Sequence, residues 1–291
     1  MLVRPMRADD VDAVERLTDE TFYQLDMRTV TADRPPPERR APERSALWRQ
    51  RASHLVRHDG PGCWVVEDDD GLLGVSMSLR REGLWGLSAL AVHPRGQGAG
   101  AGRAVLDAAL HYSEGCLRGI ICSSADPRAA RRYRQAGFTL HPAMQLWGEV
   151  DRSTLPVTEH LREGSAADID LLNSLDRLTR GSAHGVDHEV LVRQLRLVVV
   201  DRPKGSGYCY VRGDGGVSLL AASNRRTAQM LLWEALASAG DRSTGVDFLT
   251  GEQEWALDVG LAAGLRVSNS GYVALRHMKP PMPYVPSGHF L

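Results

Sequence analysis

The chain has 291 residues, of which 43% are hydrophobic and 6% are aromatic, and its formal net charge is −1. This composition is typical of a folded globular protein and excludes a disordered chain. The near-zero net charge excludes a broadly basic surface that would hold nucleic acid or an anionic membrane. We therefore expect neither a nucleic-acid nor a membrane partner.

The four cysteines are far apart in sequence and form no C-x-x-C pair. This spacing argues against a disulfide framework or a zinc site and favours a reducing compartment. The first ten residues contain no apolar signal-peptide core, and no run of 18 apolar residues occurs. We therefore expect a cytoplasmic protein, either a monomer or a homodimer.

The first third of the chain contains signals for strands and helices in alternation. A strand over residues 2–7 precedes a helix, with Asp9 as the predicted N-cap. A proline-rich loop over residues 29–44 and a helix over residues 45–58 follow. Three further strands are then predicted, over residues 63–66, 73–80 and 85–92.

A glycine-rich loop follows the last of these strands. The apolar run ends at Val92, Pro94 comes two residues later, and residues 97–103 have the sequence QGAGAGR. Apolar residues at helical spacing begin directly after the glycines. A strand, a glycine loop and a helix start together direct several backbone N–H groups and the positive end of the helix dipole toward one point. This pattern predicts an anion site, most often for phosphate.

Three alternatives for this loop differ in how well the flanking residues fit. A nucleoside-triphosphatase loop requires Lys after its last glycine, whereas Gly102 is followed by Arg103. A dinucleotide fingerprint can be placed at residues 96–101, but it requires an acidic ribose ligand after the next strand. Asp126 in that place precedes Pro127, which indicates a helix start instead. A glycine turn without a ligand is the third alternative.

The loop resembles motif A of the GNAT (Gcn5-related N-acetyltransferase) superfamily. Val92, His93 and Pro94, followed by residues 97–102, match the family pattern of a strand ending Val-x-Pro and then Gln/Arg-x-x-Gly-x-Gly/Ala. In that family the loop binds the pyrophosphate of acetyl-CoA, and the end of the preceding strand pairs with the pantetheine arm. The resemblance implies that a backbone N–H near Leu90 stabilises the oxyanion.

Residues 126–138, DPRAARRYRQAGF, are the second informative stretch. Asp126 suits an N-cap and Gly137 a C-terminal cap. The stretch resembles motif B of the same superfamily, in which the tyrosine often donates a proton to the leaving thiolate. The resemblance implies that Tyr133 is the general acid. The alternative is a core tyrosine with a satisfied hydroxyl.

The resemblance thus predicts acetyl-CoA as the co-substrate and Tyr133 as the catalytic residue. The predicted cofactor-binding residues belong to the strand end, to the glycine loop with the start of the helix after it, and to the beginning of the second stretch: Leu90, Ala91, Val92, Gln97, Gly98, Ala99, Gly100, Ala101, Gly102, Arg103, Asp126 and Ala129. No general base is identified. The side chains considered for it are Glu20, Tyr23, Asp26 and Glu82.

The second half of the chain repeats part of the first. Arg4 corresponds to Arg162 and Asp10 to Asp168 at an offset of 158 residues, which implies two copies of one fold. The predicted strands and helices of the second half have the same order, over residues 195–200, 207–212, 217–222, 227–239, 246–250 and 252–262.

We predict an α/β fold of two tandem GNAT-like domains, residues 1–150 and 158–291. Each domain is expected to have a mixed, mainly antiparallel twisted sheet flanked by helices. The second copy lacks the glycine loop and is predicted to be degenerate. Residues 279–291 contain four prolines and are predicted to be neither helix nor central strand.

His184 and His188 are four residues apart beside Asp187, a spacing that would suit a metal site on a helix. Gly181 and Gly185 argue instead for a loop, and no third ligand is evident in the sequence. We therefore predict no metal, and we assign Asp187 as the N-cap of the next helix.

The predicted function is direct transfer of an acetyl group from acetyl-CoA to a primary amine. No cysteine is placed for a covalent intermediate. A small-molecule amine and a peptide N-terminus are both compatible acceptors. The alternative function is a non-catalytic acyl-CoA sensor.

Overall fold

The computed structural model describes residues 1–31 and 34–291 and divides into two compact units. The first unit comprises residues 1–80 and 85–116, and the second comprises residues 81–84 and 117–291. The predicted proline-rich loop includes Ala32 and Asp33, which lie outside the described residues. No helix in the described part of the chain has both the length and the apolar character needed to cross a bilayer.

Among its described residues, the first unit contains four strands and three helices. The strands are β1 (Leu2–Pro5), β2 (Cys63–Asp68), β3 (Gly71–Arg81) and β4 (Leu84–Val92), in the order β1-β2-β3-β4. The pairs β1–β2 and β2–β3 are antiparallel. The helices are α1 (Val11–Thr29), α2 (Pro42–His58) and α3 (Ala101–His111). Each element that the sequence predicts in this unit is present, with its ends shifted by a few residues.

The start of α1 is organised by an arginine and a different aspartate from the predicted one. The guanidinium of Arg4 donates to both carboxylate oxygens of Asp10, at 2.7 and 2.9 Å. Asp10 Oδ2 also accepts the backbone N–H of Arg7 at 2.7 Å. The prediction that Asp9 is the cap is therefore wrong, because a 3₁₀ turn (Ala8–Asp10) precedes the helix and brings Asp10 to that position.

Helix α3 is held on the sheet by apolar packing and by one buried hydrogen bond. Ala101 and Val105 pack with Val66 and Leu73 in one buried cluster. The hydroxyl of Ser76 on β3 donates to the carbonyl oxygen of Val105 at 2.7 Å. These contacts fix the position of α3 and hence of the glycine loop that precedes it.

The second unit contains nine strands and five helices among its described residues. Its strands are β5 (Arg118–Ser123), β6 (Thr139–Gly148), β7 (Arg162–Glu163), β8 (Arg196–Arg202), β9 (Gly205–Val211), β10 (Val217–Ala222), β11 (Thr244–Leu249), β12 (Arg266–Arg276) and β13 (Tyr284–Val285). Its helices are α4 (Pro127–Gln135), α5 (Ile169–Thr179), α6 (Asp187–Gln194), α7 (Arg225–Ala237) and α8 (Glu254–Ala262).

The strands of this unit form two mainly antiparallel arrays. In one, β12 lies between β5 and β6, with Tyr272 opposite both Ser123 and Pro142, and β11 pairs with the other side of β6. The other array has the order β13-β10-β9-β8-β7. The predicted α/β class with mainly antiparallel sheets is confirmed. The long strands β6 and β12 are not identified by the sequence analysis.

The repeat inferred from sequence is visible in local geometry. In the second copy, Arg162 Nη1 donates to Asp168 Oδ2 at 3.0 Å. The same Oδ2 accepts the backbone N–H of Ser165 at 2.9 Å. This is the arrangement that Arg4 and Asp10 adopt 158 residues earlier, and it supports two copies of one fold.

The ends of α4 and α8 match in the same way. The backbone N–H of Phe138 donates to the Tyr133 carbonyl at 3.0 Å, and that of Leu265 donates to the Gly260 carbonyl at 2.9 Å. Gly137 and Gly264 have φ values of +85° and +83°. Gly260 therefore stands in the second copy where Tyr133 stands in the first.

Asp187 has a different role from the predicted one. The N-cap position of α6 belongs to Val186, so the assignment of Asp187 as N-cap is wrong. The Asp187 carboxylate is fully buried and forms an ion pair with Arg81, with contacts of 2.6 and 2.9 Å. A buried guanidinium requires such a partner, because an unpaired buried charge is costly.

Candidate active site

The glycine loop adopts a backbone conformation that favours glycine at two positions. Gly98 and Gly100 have φ values of +84° and +90°. Apart from the adjoining residues of the chain, no atom of the described residues lies within 4 Å of a Cβ atom built at either position, and both residues are exposed. These glycines are therefore required by backbone conformation, and the space in front of them is open.

The loop leads directly into the N-terminus of α3. Gly100 is the N-cap and Ala101 is the first helical residue. The first backbone N–H groups of a helix have no intrahelical acceptor, and a glycine N-cap has no side chain to bind them. The helix dipole adds partial positive charge there. The loop and helix start can therefore bind an anion of the size of phosphate or pyrophosphate.

Gln97 fastens the loop to the end of β4. Its side-chain amide donates to the carbonyl oxygen of Val92 at 3.0 Å, and its backbone N–H donates to the Pro94 carbonyl at 3.2 Å. His93 Nδ1 accepts the backbone N–H of Arg95 at 3.2 Å, which stabilises the same turn. Gln97 thus holds the loop in place, and its predicted contact with the cofactor remains a prediction.

The predicted strand residues lie where the loop meets the sheet. A Cβ atom at Gly102 would approach Val92 Cγ2 to 3.0 Å, so glycine permits close packing of α3 on β4. Leu90 and Val92 are half-buried, and Ala91 is buried. Pairing of these residues with a pantetheine arm remains a prediction.

The remaining predicted residues of the loop are exposed or support the helix. Ala99 is exposed at the turn, whereas Ala101 is fully buried. Arg103 is exposed, and its Nε lies 3.3 Å from the Asp107 carboxylate one helical turn away. Because this surface pair is weak, the Arg103 guanidinium is available to an anion at the helix start.

Helix α4 of the second unit begins as the sequence predicts. The Asp126 carboxylate accepts the backbone N–H of Arg128 at 2.8 Å, which confirms Asp126 as the N-cap. The Arg128 guanidinium binds the same carboxylate at 2.6 Å and lowers the pKa of Asp126. Ala129 is half-buried on the first turn. Contacts of Asp126 and Ala129 with the cofactor remain predictions.

Tyr133 lies on the buried side of α4 with 5% of its surface exposed. Burial raises the pKa of Tyr133 well above its usual value, although a hydrogen bond with the Ser123 side chain acts in the opposite direction. The phenol therefore stays protonated at neutral pH, as a proton donor must. The same environment also fits the alternative, a core tyrosine whose hydroxyl is satisfied by Ser123.

Two of the acidic side chains considered as bases already bind arginine. Glu82 binds the Arg177 guanidinium at 2.6 Å, and it accepts the backbone N–H of Ala183 at 2.9 Å. Glu20 forms an ion pair with Arg39. These hydrogen bonds lower the pKa of both Glu82 and Glu20. Neither carboxylate is suited to act as a general base near neutral pH.

The second copy offers neither the loop nor the tyrosine. The side chain of Asn224 caps α7 by accepting the backbone N–H of Thr227 at 2.9 Å, so a side chain occupies the anion position. At Gly260, the counterpart of Tyr133, a Cβ atom would lie only 2.4 Å from the Leu146 side chain. No larger residue fits there without rearrangement.

Two serines that contact α3 and Tyr133 are not identified by the sequence analysis. Ser76 positions α3, and Ser123 contacts the Tyr133 hydroxyl. Both are polar residues at buried positions of apolar strands. That pattern is the signal by which they can be found, since a buried hydroxyl requires a hydrogen-bond partner.

One family model matches part of the chain. Residues 59–140 match the family model described as an acetyltransferase (GNAT) domain. This segment includes the glycine loop, α3, α4 and Tyr133. No curated protein matches the chain.

Solved structures share the fold over nearly the whole chain. A Pyrococcus horikoshii protein named as a candidate acetyltransferase has a TM-score of 0.75 at 14% identity, with 99% of this chain and 95% of that chain covered. A GCN5-related N-acetyltransferase from Sphaerobacter thermophilus has a TM-score of 0.57 at 16% identity, with coverage of 94% and 95%. A further GCN5-related N-acetyltransferase, from Kribbella flavida, has a TM-score of 0.56 at 16% identity, with coverage of 94% and 71%. At these identities the likeness concerns the fold.

Proposed function

We propose that this chain, a member of the GNAT superfamily through its domain at residues 59–140, is an acetyl-CoA-dependent N-acetyltransferase. The observation that carries the proposal is the open glycine loop at the start of α3. Gly98 and Gly100 hold positive φ values with nothing in front of them, which fits a pyrophosphate bound by backbone N–H groups. Acetyl-CoA is the co-substrate that supplies this group.

The chemical step requires a neutral amine and a proton for the leaving group. A lysine-type amine has a pKa of about 10.4 and must lose a proton before it attacks. Its nitrogen then forms a bond with the thioester carbonyl carbon, the C–S bond breaks, and the amine releases its second proton to solvent. The Tyr133 hydroxyl donates a proton to the departing sulfur, and solvent reprotonates the phenolate. A tyrosine whose pKa is raised by burial suits this step.

We assign this activity to the first of two tandem domains, residues 1–150, and a degenerate role to residues 158–291. The capped start of α7 and the glycine at position 260 support the assignment. The acceptor is a small-molecule amine or a peptide N-terminus. Direct transfer is supported by Cys63, Cys122 and Cys209, because burial raises the pKa of each of these thiols and disfavours the thiolate that a covalent intermediate requires.

Ligand binding and turnover can be tested separately. A thermal-shift comparison of acetyl-CoA, longer acyl-CoA esters and NADPH identifies the ligand class, because a ligand at 100 times its dissociation constant adds about 2.7 kcal/mol. Thiol release from acetyl-CoA with a panel of amines then measures transfer. Stabilisation by acyl-CoA without turnover on any amine would favour the sensor, and stabilisation by NADPH alone would contradict the proposal.

Tyr133→Phe tests the assigned acid. We expect a fall in kcat of about 100-fold to 10,000-fold with an unchanged dissociation constant for acetyl-CoA, because only the proton donor is removed. Tyr112→Phe is the matched control, since the Tyr112 hydroxyl donates to Asp59 at 3.1 Å and has no proposed chemical role. Full activity of the Tyr133→Phe variant would contradict the assignment of Tyr133 as general acid and would leave it as a core aromatic residue.

A further inference from the structure

A fully buried group of two histidines and one aspartate lies in the second unit, outside the site described above. Asp176 is on α5, His184 is in the loop that follows, and His188 is on α6. All three are 0% exposed. One potential ligand atom of each residue lies within 4.8 Å of the others. Asp176 is the third residue of this group, and the sequence analysis did not find it.

One contact within this group lacks the hydrogen bond that its distance suggests. His184 Nε2 lies 2.9 Å from the backbone oxygen of Leu291, which also accepts the Tyr284 hydroxyl at 2.7 Å. The Tyr284 hydroxyl also lies 3.4 Å from His184 Nε2. Because the Leu291 oxygen can only accept, a hydrogen bond at 2.9 Å places the hydrogen on Nε2, and Nδ1 of the neutral ring then has a lone pair. This Nδ1 lies 2.8 Å from Asp176 Oδ2 and has no hydrogen-bond partner among the described residues.

Two electron-rich atoms therefore face each other in a buried place. A lone pair and a carboxylate oxygen at 2.8 Å repel unless a positive charge lies between them. His188 Nε2 approaches the same Oδ2 to 3.0 Å. The required positive charge is either an additional proton on His184 or a metal cation.

The outer atoms of all three side chains are oriented by neighbours. The Tyr208 hydroxyl donates to Asp176 Oδ1, the oxygen that points away from the histidines. His188 Nδ1 lies 3.1 Å from the Tyr210 hydroxyl, and His184 Nε2 faces Leu291. Metal-binding histidines and carboxylates have outer contacts of this kind, which fix the ring orientation and the tautomer.

We propose that Asp176, His184 and His188 bind one divalent transition-metal ion through Oδ2, Nδ1 and Nε2. Two imidazoles and one carboxylate suit Zn²⁺, Co²⁺, Ni²⁺ or Fe²⁺ rather than Mg²⁺ or Ca²⁺, which prefer oxygen ligands. With metal–ligand bonds of about 2.1 Å, separations of 2.8 and 3.0 Å correspond to angles of roughly 90° at the metal. That angle fits adjacent positions of an octahedron.

The ion ties together parts of the chain that are distant in sequence. It links α5 to α6, and through His184 it reaches Leu291, whose oxygen also accepts from Arg180. Arg180 donates in addition to the Ser182 and Ala183 carbonyls, so backbone oxygens bind its guanidinium on several sides. The site is structural and independent of the proposed acyl transfer.

The test begins with the unaltered protein, prepared without a polyhistidine tag and without chelator. Elemental analysis is expected to give about one transition-metal ion per chain. After removal of metal by a chelator, added Co²⁺ is expected to produce a visible absorption spectrum that Zn²⁺ abolishes. A folded chain that contains no ion and binds neither Zn²⁺ nor Co²⁺ would overturn the proposal.

Single substitutions assign the ligands. His184→Asn and Asp176→Asn should weaken Zn²⁺ binding at least about 100-fold, and Tyr208→Phe, which removes an outer contact, about 10-fold to 100-fold. His111→Gln is the control, because His111 is an exposed histidine in the first unit. Zn²⁺ binding that is equal in the control and in the folded ligand variants would also overturn the proposal. If a ligand variant does not fold, the metal content of the unaltered protein and its binding of Co²⁺ and Zn²⁺ still decide whether the metal site exists.

Discussion

Gly100→Ala is the most direct test of the proposed acetyl-CoA loop. Gly100 has a φ of +90° and a ψ of −5°, and a Cβ atom there meets nothing within 4 Å. The substitution therefore introduces no steric clash and changes only the cost of the left-handed backbone, which for alanine is roughly 1–2 kcal/mol. Any measured change therefore reports on the backbone conformation of the loop and not on a steric clash.

This free-energy cost lowers either the stability of the protein or its affinity for acetyl-CoA, depending on whether the loop relaxes in the free protein. Residues 98–100 are exposed and contact little, so we expect the variant loop to leave the left-handed conformation when no ligand is bound. Binding must then restore that conformation, and the affinity for acetyl-CoA falls by about 5-fold to 30-fold, since 1.4 kcal/mol corresponds to a factor of ten. The melting temperature should change little.

Isothermal titration calorimetry with acetyl-CoA measures the affinity. Gly251→Ala is the matched control, because a Cβ atom at Gly251 also has open space and its φ lies outside the positive range. With S-acetylpantetheine, which lacks the pyrophosphate, kcat/KM should be the same for both variants. An affinity of the Gly100 variant equal to that of the control, with equal stability, would refute the assignment of the loop.

Two further predictions concern stability. The Arg4 hydrogen bond lowers the pKa of Asp10 against the opposing effect of burial. The pair therefore stabilises the folded state above the ordinary aspartate pKa of 3.8, and this stability is lost as the pH falls through the lowered value. Asp10→Asn should thus lower the free energy of unfolding at pH 7 and have a smaller effect near pH 3. Urea unfolding at both pH values measures this free energy. An equal decrease at both pH values would contradict a stabilising ion pair. Asn224→Ala removes the cap of α7 and should cost about 1 kcal/mol in urea unfolding, with unchanged acetyl-CoA affinity as the check that this helix start does not bind the cofactor.

Local patterns in the sequence predict much of the fold and of the loop. Glycines followed by a helical period predict α3, and Asp126 before Pro127 predicts the start of α4, because capping and backbone conformation depend on neighbouring residues. The repeat is predicted from a short local pattern that occurs twice, an arginine six residues before an aspartate at Arg4 and again at Arg162. These features are predictable because the residues that determine each of them lie within a few positions of one another in the sequence.

Features that depend on distant partners are not predictable in this way. The carboxylate of Asp187 appears available as a helix cap until the structure places it against Arg81, more than 100 residues earlier. Asp176 lies on the apolar face of α5 between residues of ordinary helical spacing, and only the fold brings it to the two histidines. Pairings of this kind require the tertiary structure.

The position of β12 has a consequence for how the chain is made. One edge of β5 and one edge of β6 find their backbone hydrogen-bond partners only when β12 (residues 266–276) lies between the two strands. Tyr272 of β12, for example, pairs with Ser123 about 150 residues earlier. During synthesis these two strands leave the ribosome long before their common neighbour, and their unpaired edges can pair wrongly in the interval. Such distant pairing also slows folding. We therefore expect the yield of native protein to depend on protection of β5 and β6 while translation continues to the end of β12.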